Sequence, residues 1–307
     1  MKKILVATEK PFAKAAVEGI RKIVEVAGFE MVLLENYTQK EELLEAAAKA
    51  DAIIIRSDIV DADVLEASKN LKIVVRAGAG YDNIDLASAT AKGVVAMNTP
   101  GQNSNAVAEL AIGLMVFAAR NNFNGSSGTE LKGKKLGIHA YGYVGKAVAF
   151  IAKGFGMDVY AFDPFVDKQI IESDGVHFID NVNELYSTCH YISLHMPANA
   201  QTKKSINLDL LSLMPKGATL VNTARKEVVD EEGLLQMFAQ RTDFKYVSDV
   251  EPECKGLIAE KFSGRFYFTP KKIGAQTSEA NNNAGIAAAK QIVNFFVNND
   301  KTFQVNK

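Results

Sequence analysis

The chain has 307 residues, room for two domains each with its own core, and its 48% hydrophobic and 23% charged residues are the proportions of a globular protein in water. Thirty-five basic residues against thirty-six acidic ones leave no bulk charge to draw nucleic acid or an anionic membrane, so a charged ligand must be met by a local cluster. Two cysteines, Cys189 and Cys254, supply neither a disulfide framework nor a metal-ligand spacing, which fits a reducing cytoplasm.

The opening MKKILVATEK holds an apolar run too short for a secretory signal or a membrane span, and it predicts a first strand. Apolar runs recur at 31–35, 52–56, 72–76 and 93–97, separated by amphipathic stretches such as EELLEAAAKA (41–50). That alternation predicts a parallel sheet covered by helices. The apolar stretch 104–120 predicts a helix with Ser104 as its N-cap, and NNFNGSSG (121–128) reads as a linker-like loop. A second alternating series follows, KLGIHA, DVYAFD, YISLH, ATLVNTA, KYVSDV and FYFTP. The expected fold class is therefore α/β, with two doubly wound parallel-sheet units. The last helix-like stretch, 278–297, is long enough to run back toward the first unit.

Within KKLGIHAYGYVGKAVAF (134–150) a strand, a tight turn and a helix follow one another. Gly142 and Gly145 hold the second and third positions of G-x-G-x-x-G, while Ala140 holds the first. The second glycine lets backbone approach a pyrophosphate, and the third lets the helix pack closely on the strand. The helix N-terminus then offers unpaired N–H groups to the phosphate. Tyr141, Tyr143 and Val144 belong to the same turn and are expected beside the cofactor. Asp163, eighteen residues past Gly145, stands where an acid hydrogen-bonds the adenosine ribose. No arginine follows at once to take a 2′-phosphate, so NAD is expected rather than NADP.

Four further segments then fall into register: VVRAGAGYDNIDL (74–86), NTPGQNSNAVAELAIGLM (98–115), LVNTARKEVVDEEGLL (220–235) and SDVEP (248–252). With them the chain resembles the D-isomer-specific 2-hydroxyacid dehydrogenases over essentially its whole length. RAGAGYDNID and IIIRSD are most similar to the phosphoglycerate branch of that family. The resemblance implies a Rossmann-type NAD-binding domain (101–280) and a flavodoxin-like substrate domain (1–100 with 281–307), with the active site in a cleft between them. It implies a phosphorylated 2-hydroxy or 2-keto acid as substrate and a homodimer, to which the 106–119 helix would contribute. Because the chain ends soon after its last helix, the regulatory domains of longer relatives are not expected.

Site residues follow from the resemblance position by position. Arg225 of NTAR matches the arginine that holds the substrate's carboxylate and keto oxygen, work suited to a planar guanidinium. Glu251 matches the acid that partners the catalytic base, with Glu253 as the alternative because DVEP is shorter than the family's usual form. Asp249 matches the contact to the nicotinamide carboxamide. Ala79, Met196, Pro197, Thr223, Ala224 and Gly274 match positions that line the cofactor, and His195 stands beside them. Arg56, Arg76 and Gly78 resemble the substrate-recognition wall, where two arginines can bind a phosphate. His139 reads as a core group.

The family's T-P-H-I/L-G-[AG]-x-T, with histidine as proton donor and acceptor, is here TPKKIGAQT (269–277). Histidine is absent and one residue is added. Counting from the strand gives Lys271 the histidine's place, and counting from the helix gives Lys272, so both stay open. A lysine ammonium, with a reference pKa of ~10.4, is an adequate acid and a poor base. The expectation is a dehydrogenase that oxidises D-3-phosphoglycerate with a lysine handling the proton. The alternatives are a reductase of hydroxypyruvate, glyoxylate or pyruvate, and an NAD-binding sensor without catalysis.

Overall fold

The computed structural model describes residues 1–306. The chain divides into two compact units, Met1–Asn103 with Gln276–Lys307, and Ser104–Ala275.

The first unit is built on five parallel strands, β1 (Lys3–Thr8), β2 (Glu30–Glu35), β3 (Ala52–Ile55), β4 (Ile73–Arg76) and β5 (Val95–Asn98), in the order β2-β1-β3-β4-β5. Its inner strands are continuous apolar runs because both faces are covered. Alternation shares each strand between two cores. Ile4, Val6, Ile54 and Val75 face the helices Lys14–Val26 and Ser278–Asn298, while Leu5, Ile53, Ile55 and Val74 face Leu43, Val64 and Ala89 on the other side. The C-terminal helix thus belongs to the first unit, and Thr277 caps it by accepting the Ala280 N–H at 3.1 Å.

The second unit holds seven parallel strands: β6 (Lys135–His139), β7 (Asp158–Phe162), β8 (His177–Phe178), β9 (Tyr191–Leu194), β10 (Thr219–Asn222), β11 (Lys245–Ser248) and β12 (Phe266–Phe268). Their order is β12-β11-β10-β9-β6-β7-β8, so the direction of winding reverses between β6 and β9. The helices Ser104–Ala119 and Tyr143–Gly154 cover one face over Ile138, Val221 and Val247. Leu185, Leu211, Leu234 and Phe238 cover Ile192, Leu220 and Tyr246 on the other.

Two local expectations change. Ser104 is the first helical residue rather than the cap, and its hydroxyl is buried without a partner. The 121–128 stretch does not link the units but lies inside the second one. There Asn122 donates to the Phe266 carbonyl at 3.1 Å, Lys245 Nζ donates to Asn121 Oδ1 at 2.8 Å, and the Thr129 N–H returns to the Ala119 carbonyl at 2.8 Å. Its asparagines serve as anchors for backbone, a use their composition does not distinguish from a free loop. Among the described residues no helix is long and apolar enough to cross a membrane.

Candidate active site

All the strands of a parallel sheet end on one edge, and open α/β sheets bind their ligands there. In the second unit β6 ends at His139, and the chain turns through Ala140 with φ at +79°. The Ala140 N–H donates to the Phe162 carbonyl at 2.9 Å, and the Tyr141 N–H to Asp163 Oδ2 at 2.7 Å. Gly142 caps the helix Tyr143–Gly154, and a Cβ there would meet nothing within 4 Å, so the helix N-terminus is open to a ligand. At Gly145 a Cβ would lie 2.4 Å from the Ala140 carbonyl oxygen, so only glycine permits this approach. Tyr141 offers the site backbone alone, since its ring is buried and its hydroxyl donates to Asp174 Oδ2 at 3.1 Å. Tyr143 is exposed and Val144 packs against the core. Asp163 braces the turn through Oδ2 and takes the Phe165 N–H on Oδ1 at 2.8 Å.

β9 and β10 leave the sheet side by side, Leu194 opposite Asn222, so His195 and Thr223 follow on neighbouring chains. The His195 Nε2 and Thr223 Oγ1 atoms are buried without a partner, as is the Ser193 hydroxyl. His139 Nδ1 lies 3.2 Å from the Tyr186 hydroxyl. Burial draws His139 down to about 4, and burial together with the charge of His139 draws His195 down to about 3, so both rings are neutral at neutral pH. Met196 is buried, and the exposed Pro197 accepts the Thr202 hydroxyl on its carbonyl. Buried polar atoms lacking partners, next to an open helix N-terminus, fit a bound dinucleotide.

Beyond β10 the turn Thr223–Ala224–Arg225 is shaped by Asn222, whose Oδ1 accepts the Ala224 N–H at 2.9 Å while its Nδ2 donates to the Arg225 carbonyl at 2.9 Å. The Ala224 carbonyl gathers two cations. Arg225 Nη1 donates to it at 3.1 Å and Lys272 Nζ at 2.5 Å. Lys271 is exposed. Asp249, fully buried, accepts from Thr269 Oγ1 at 3.0 Å and from the N–H groups of Ile273 at 2.8 Å and Gly274 at 2.7 Å. Glu251 is paired with Lys255, the first residue of the helix Lys255–Lys261, and Glu253 with Lys226 at 3.0 Å.

In the first unit Arg56 follows β3 and Arg76 ends β4. The Arg56 guanidinium donates to the carbonyls of Lys10 at 2.9 Å and Pro11 at 3.0 Å and to Asn281 Oδ1 at 2.7 Å, and it lies over the Phe12 ring. It is therefore largely committed to holding its own loops. Arg76 Nε donates to the Arg56 carbonyl at 3.0 Å, and its guanidinium fills the space beside Gly78, where a Cβ would fall 1.6 Å from Nη1. The Ala79 carbonyl accepts the Asn98 side chain at 2.6 Å.

Two organising residues escape a reading of the sequence. Asn222 was visible only as the first letter of NTAR. Buried Asp58 accepts from the Glu9 N–H at 2.7 Å, the Tyr37 hydroxyl at 2.8 Å and the Arg56 N–H at 3.2 Å. Its one outward sign was an acid close behind a strand, a pattern shared with many solvated turns.

Residues 113–262 match the family model described as the NAD binding domain of D-isomer specific 2-hydroxyacid dehydrogenases. The chain is 38% identical over 272 residues to a D-3-phosphoglycerate dehydrogenase of Methanocaldococcus jannaschii, covering 82% of this chain and 51% of that one. It is 35% identical to a hydroxypyruvate reductase of Thermotoga maritima, covering 86% of this chain and 90% of that one. The crystal structure of NAD+-bound 3-phosphoglycerate dehydrogenase from Entamoeba histolytica superposes with a TM-score of 0.88 at 48% identity, covering 100% of this chain and 99% of the other. The chain spans about half the length of the curated phosphoglycerate dehydrogenases it matches. The second unit thus carries an NAD-binding domain, and NAD is its cofactor.

Proposed function

Since the chain belongs to the D-isomer-specific 2-hydroxyacid dehydrogenases, we propose that it interconverts D-3-phosphoglycerate and 3-phosphohydroxypyruvate, a step that feeds serine biosynthesis, with Lys272 in the place of the family's histidine. The observation that carries this reading is the meeting of Lys272 Nζ and Arg225 Nη1 on one carbonyl oxygen. An acid–base group must stand beside the group that grips the reacting oxygen, because that same oxygen gains or loses the proton. NAD, when bound, takes or supplies the hydride.

The chain's own residues do the rest. Arg225 holds the carboxylate and keto oxygen of the acid through parallel N–H donors. In reduction the Lys272 ammonium gives a proton to the oxygen of the keto group as carbon accepts the hydride. In oxidation the neutral amine takes the hydroxyl proton. Arg76, held by the Arg56 carbonyl and by Gly78, is offered as the main phosphate ligand, with Arg56 secondary. The pairing of Glu251 with Lys255 leaves that acid a supporting part at most.

Reduction of 3-phosphohydroxypyruvate by NADH, followed through the near-ultraviolet absorbance of NADH, tests the reading against hydroxypyruvate, glyoxylate and pyruvate. The phosphorylated acid is expected to be preferred. A preference for hydroxypyruvate would support the second reading, which the commitment of the Arg56 guanidinium favours and which the Thermotoga relative's name echoes. We place the enzyme in the cytoplasm as a homodimer whose contact includes the half-exposed Ala106, Leu110 and Phe117 of the helix Ser104–Ala119. Sedimentation at monomer mass would remove the dimer.

A further inference from the structure

We propose that Asp249 is a positioning residue that selects Lys272, and not Lys271, as the group that meets the substrate oxygen, an inference that rests on the lysine reading above. The loop that carries the two lysines is clasped at both ends by this one carboxylate. Thr269 stands before the lysines, and its hydroxyl donates to Oδ1 at 3.0 Å. Ile273 and Gly274 stand after them, and their N–H groups donate to Oδ1 at 2.8 Å and Oδ2 at 2.7 Å. Only Pro270, Lys271 and Lys272 span the gap. The extra residue of this chain is therefore absorbed inside the clasp, and the residue joined directly to the pinned Ile273–Gly274 pair is Lys272.

The same aspartate joins the lysine loop to the loop that presents Arg225. Its backbone N–H donates to the Asn222 carbonyl at 2.9 Å, while the Thr269 N–H donates to the Ser248 carbonyl at 3.1 Å. One residue thus sets the spacing between the loop that delivers Lys272 Nζ and the Ala224 carbonyl that receives it. A fully buried carboxylate with three donors is fixed, because moving it would leave a charge in the interior unpaired. Gly274 belongs to the device, since a Cβ there would lie 2.8 Å from Asp249 Oδ2.

Thr269→Val keeps the shape of a buried residue and removes one arm of the clasp without touching either lysine. The measurements are kcat with 3-phosphohydroxypyruvate, NADH affinity by fluorescence, and amide hydrogen exchange across 269–276. We expect kcat to fall roughly three- to tenfold, the rate equivalent of one lost hydrogen bond, with NADH affinity changed less than about twofold. Exchange at Ile273 and Gly274 should quicken, and Thr269→Ser should restore both rate and protection. In a Lys272→Ala background the same substitution should cost nothing further, because a misplaced lysine that is already gone cannot be missed. A purely structural role would give the same fold loss in both backgrounds and would overturn the proposal, as would unchanged rate and exchange in Thr269→Val. If Lys271→Ala rather than Lys272→Ala abolishes turnover, the selection is overturned while lysine catalysis stands. If neither lysine matters, the lysine reading itself fails, and the exchange data still report whether the clasp exists.

Discussion

The phosphate turn at 140–145 and the lysine loop at 269–274 leave the same sheet on the same edge, yet different forces hold them. The turn is held by close backbone approach: the Ala140 carbonyl lies where a Cβ on Gly145 would fall, and Asp163 braces the Tyr141 N–H. The loop is held by charge: a buried carboxylate twenty residues away in sequence gathers a hydroxyl and two N–H groups. A site held by sterics writes itself into a local motif, because only small residues fit. One held by a distant carboxylate does so only at the Thr269 hydroxyl and the bare Cα of Gly274, since any residue but proline can offer its N–H. The turn should therefore fail through binding and folding, and the loop through rate.

The largest effect is expected in the loop. Lys272→Ala should lower kcat by about 10²- to 10⁴-fold, the usual worth of a general acid–base group, while Lys271→Ala stays within a few-fold of wild type. Steady-state rates with saturating NADH distinguish the two, and equal losses would mean that both lysines share the work. Next comes the turn. Gly145→Ala should destabilise the second unit by up to about 3 kcal/mol and raise the Kd for NADH, because the added methyl must push the Ala140 carbonyl away from the helix. Denaturant melts with and without NADH read both quantities. A variant that folded and bound as wild type would show the turn to be looser than its contacts imply.

Much of this contrast was legible in the sequence. The apolar runs marked the strands of both sheets well, because buried parallel strands are continuous hydrophobic stretches. The spacing of Gly142, Gly145 and Asp163 marked the turn, because each position answers to a short-range constraint. β8 was not legible, being two residues long with His177 exposed to solvent. The choice between Lys271 and Lys272 was not legible either. On the proposal above it depends on which N–H groups Asp249 reaches, and neither lysine records that. Arg56 adds contacts that its place at a strand end did not announce: the fold brings the Lys10 and Pro11 carbonyls and Asn281 to its guanidinium.

The histidines at the root of the turn give a third, intermediate effect. His139 precedes Ala140, and His195 follows the neighbouring strand, each held neutral by burial with values drawn down to about 4 and about 3. In the unfolded chain both return toward 6.5, so between that value and the folded ones the unfolded state binds more protons. Their neutrality costs nothing above 6.5, and stability is lost as pH falls below it toward about 4 for His139 and about 3 for His195. Between neutral pH and a pH about one unit below the reference value, the pair should cost about 2 kcal/mol. Urea midpoints across that range measure the slope, and His139→Gln should remove roughly half of it. A flat profile would mean that water reaches these rings and that the root of the turn is not dry.

The smallest effect concerns Ala140, the residue that stands where the motif asks for glycine. Its φ of +79° lies in the left-handed region, which an alanine side chain resists by roughly 1–2 kcal/mol. Glycine would remove that strain but would add conformational freedom to the unfolded chain, worth about 0.4–1 kcal/mol in the opposite sense. The net expectation for Ala140→Gly is a gain of ~0.5 kcal/mol, read as a small rise in the urea midpoint with an unchanged slope. The two outcomes separate the ways the turn can be held. A gain means that Ala140 is strained and that the packing around Gly145, with the Phe162 and Asp163 hydrogen bonds, overrides its local preference. A loss means that the methyl group makes contacts worth more than the strain, and the turn would then depend on side-chain packing at its first position as well as on bare backbone at its third.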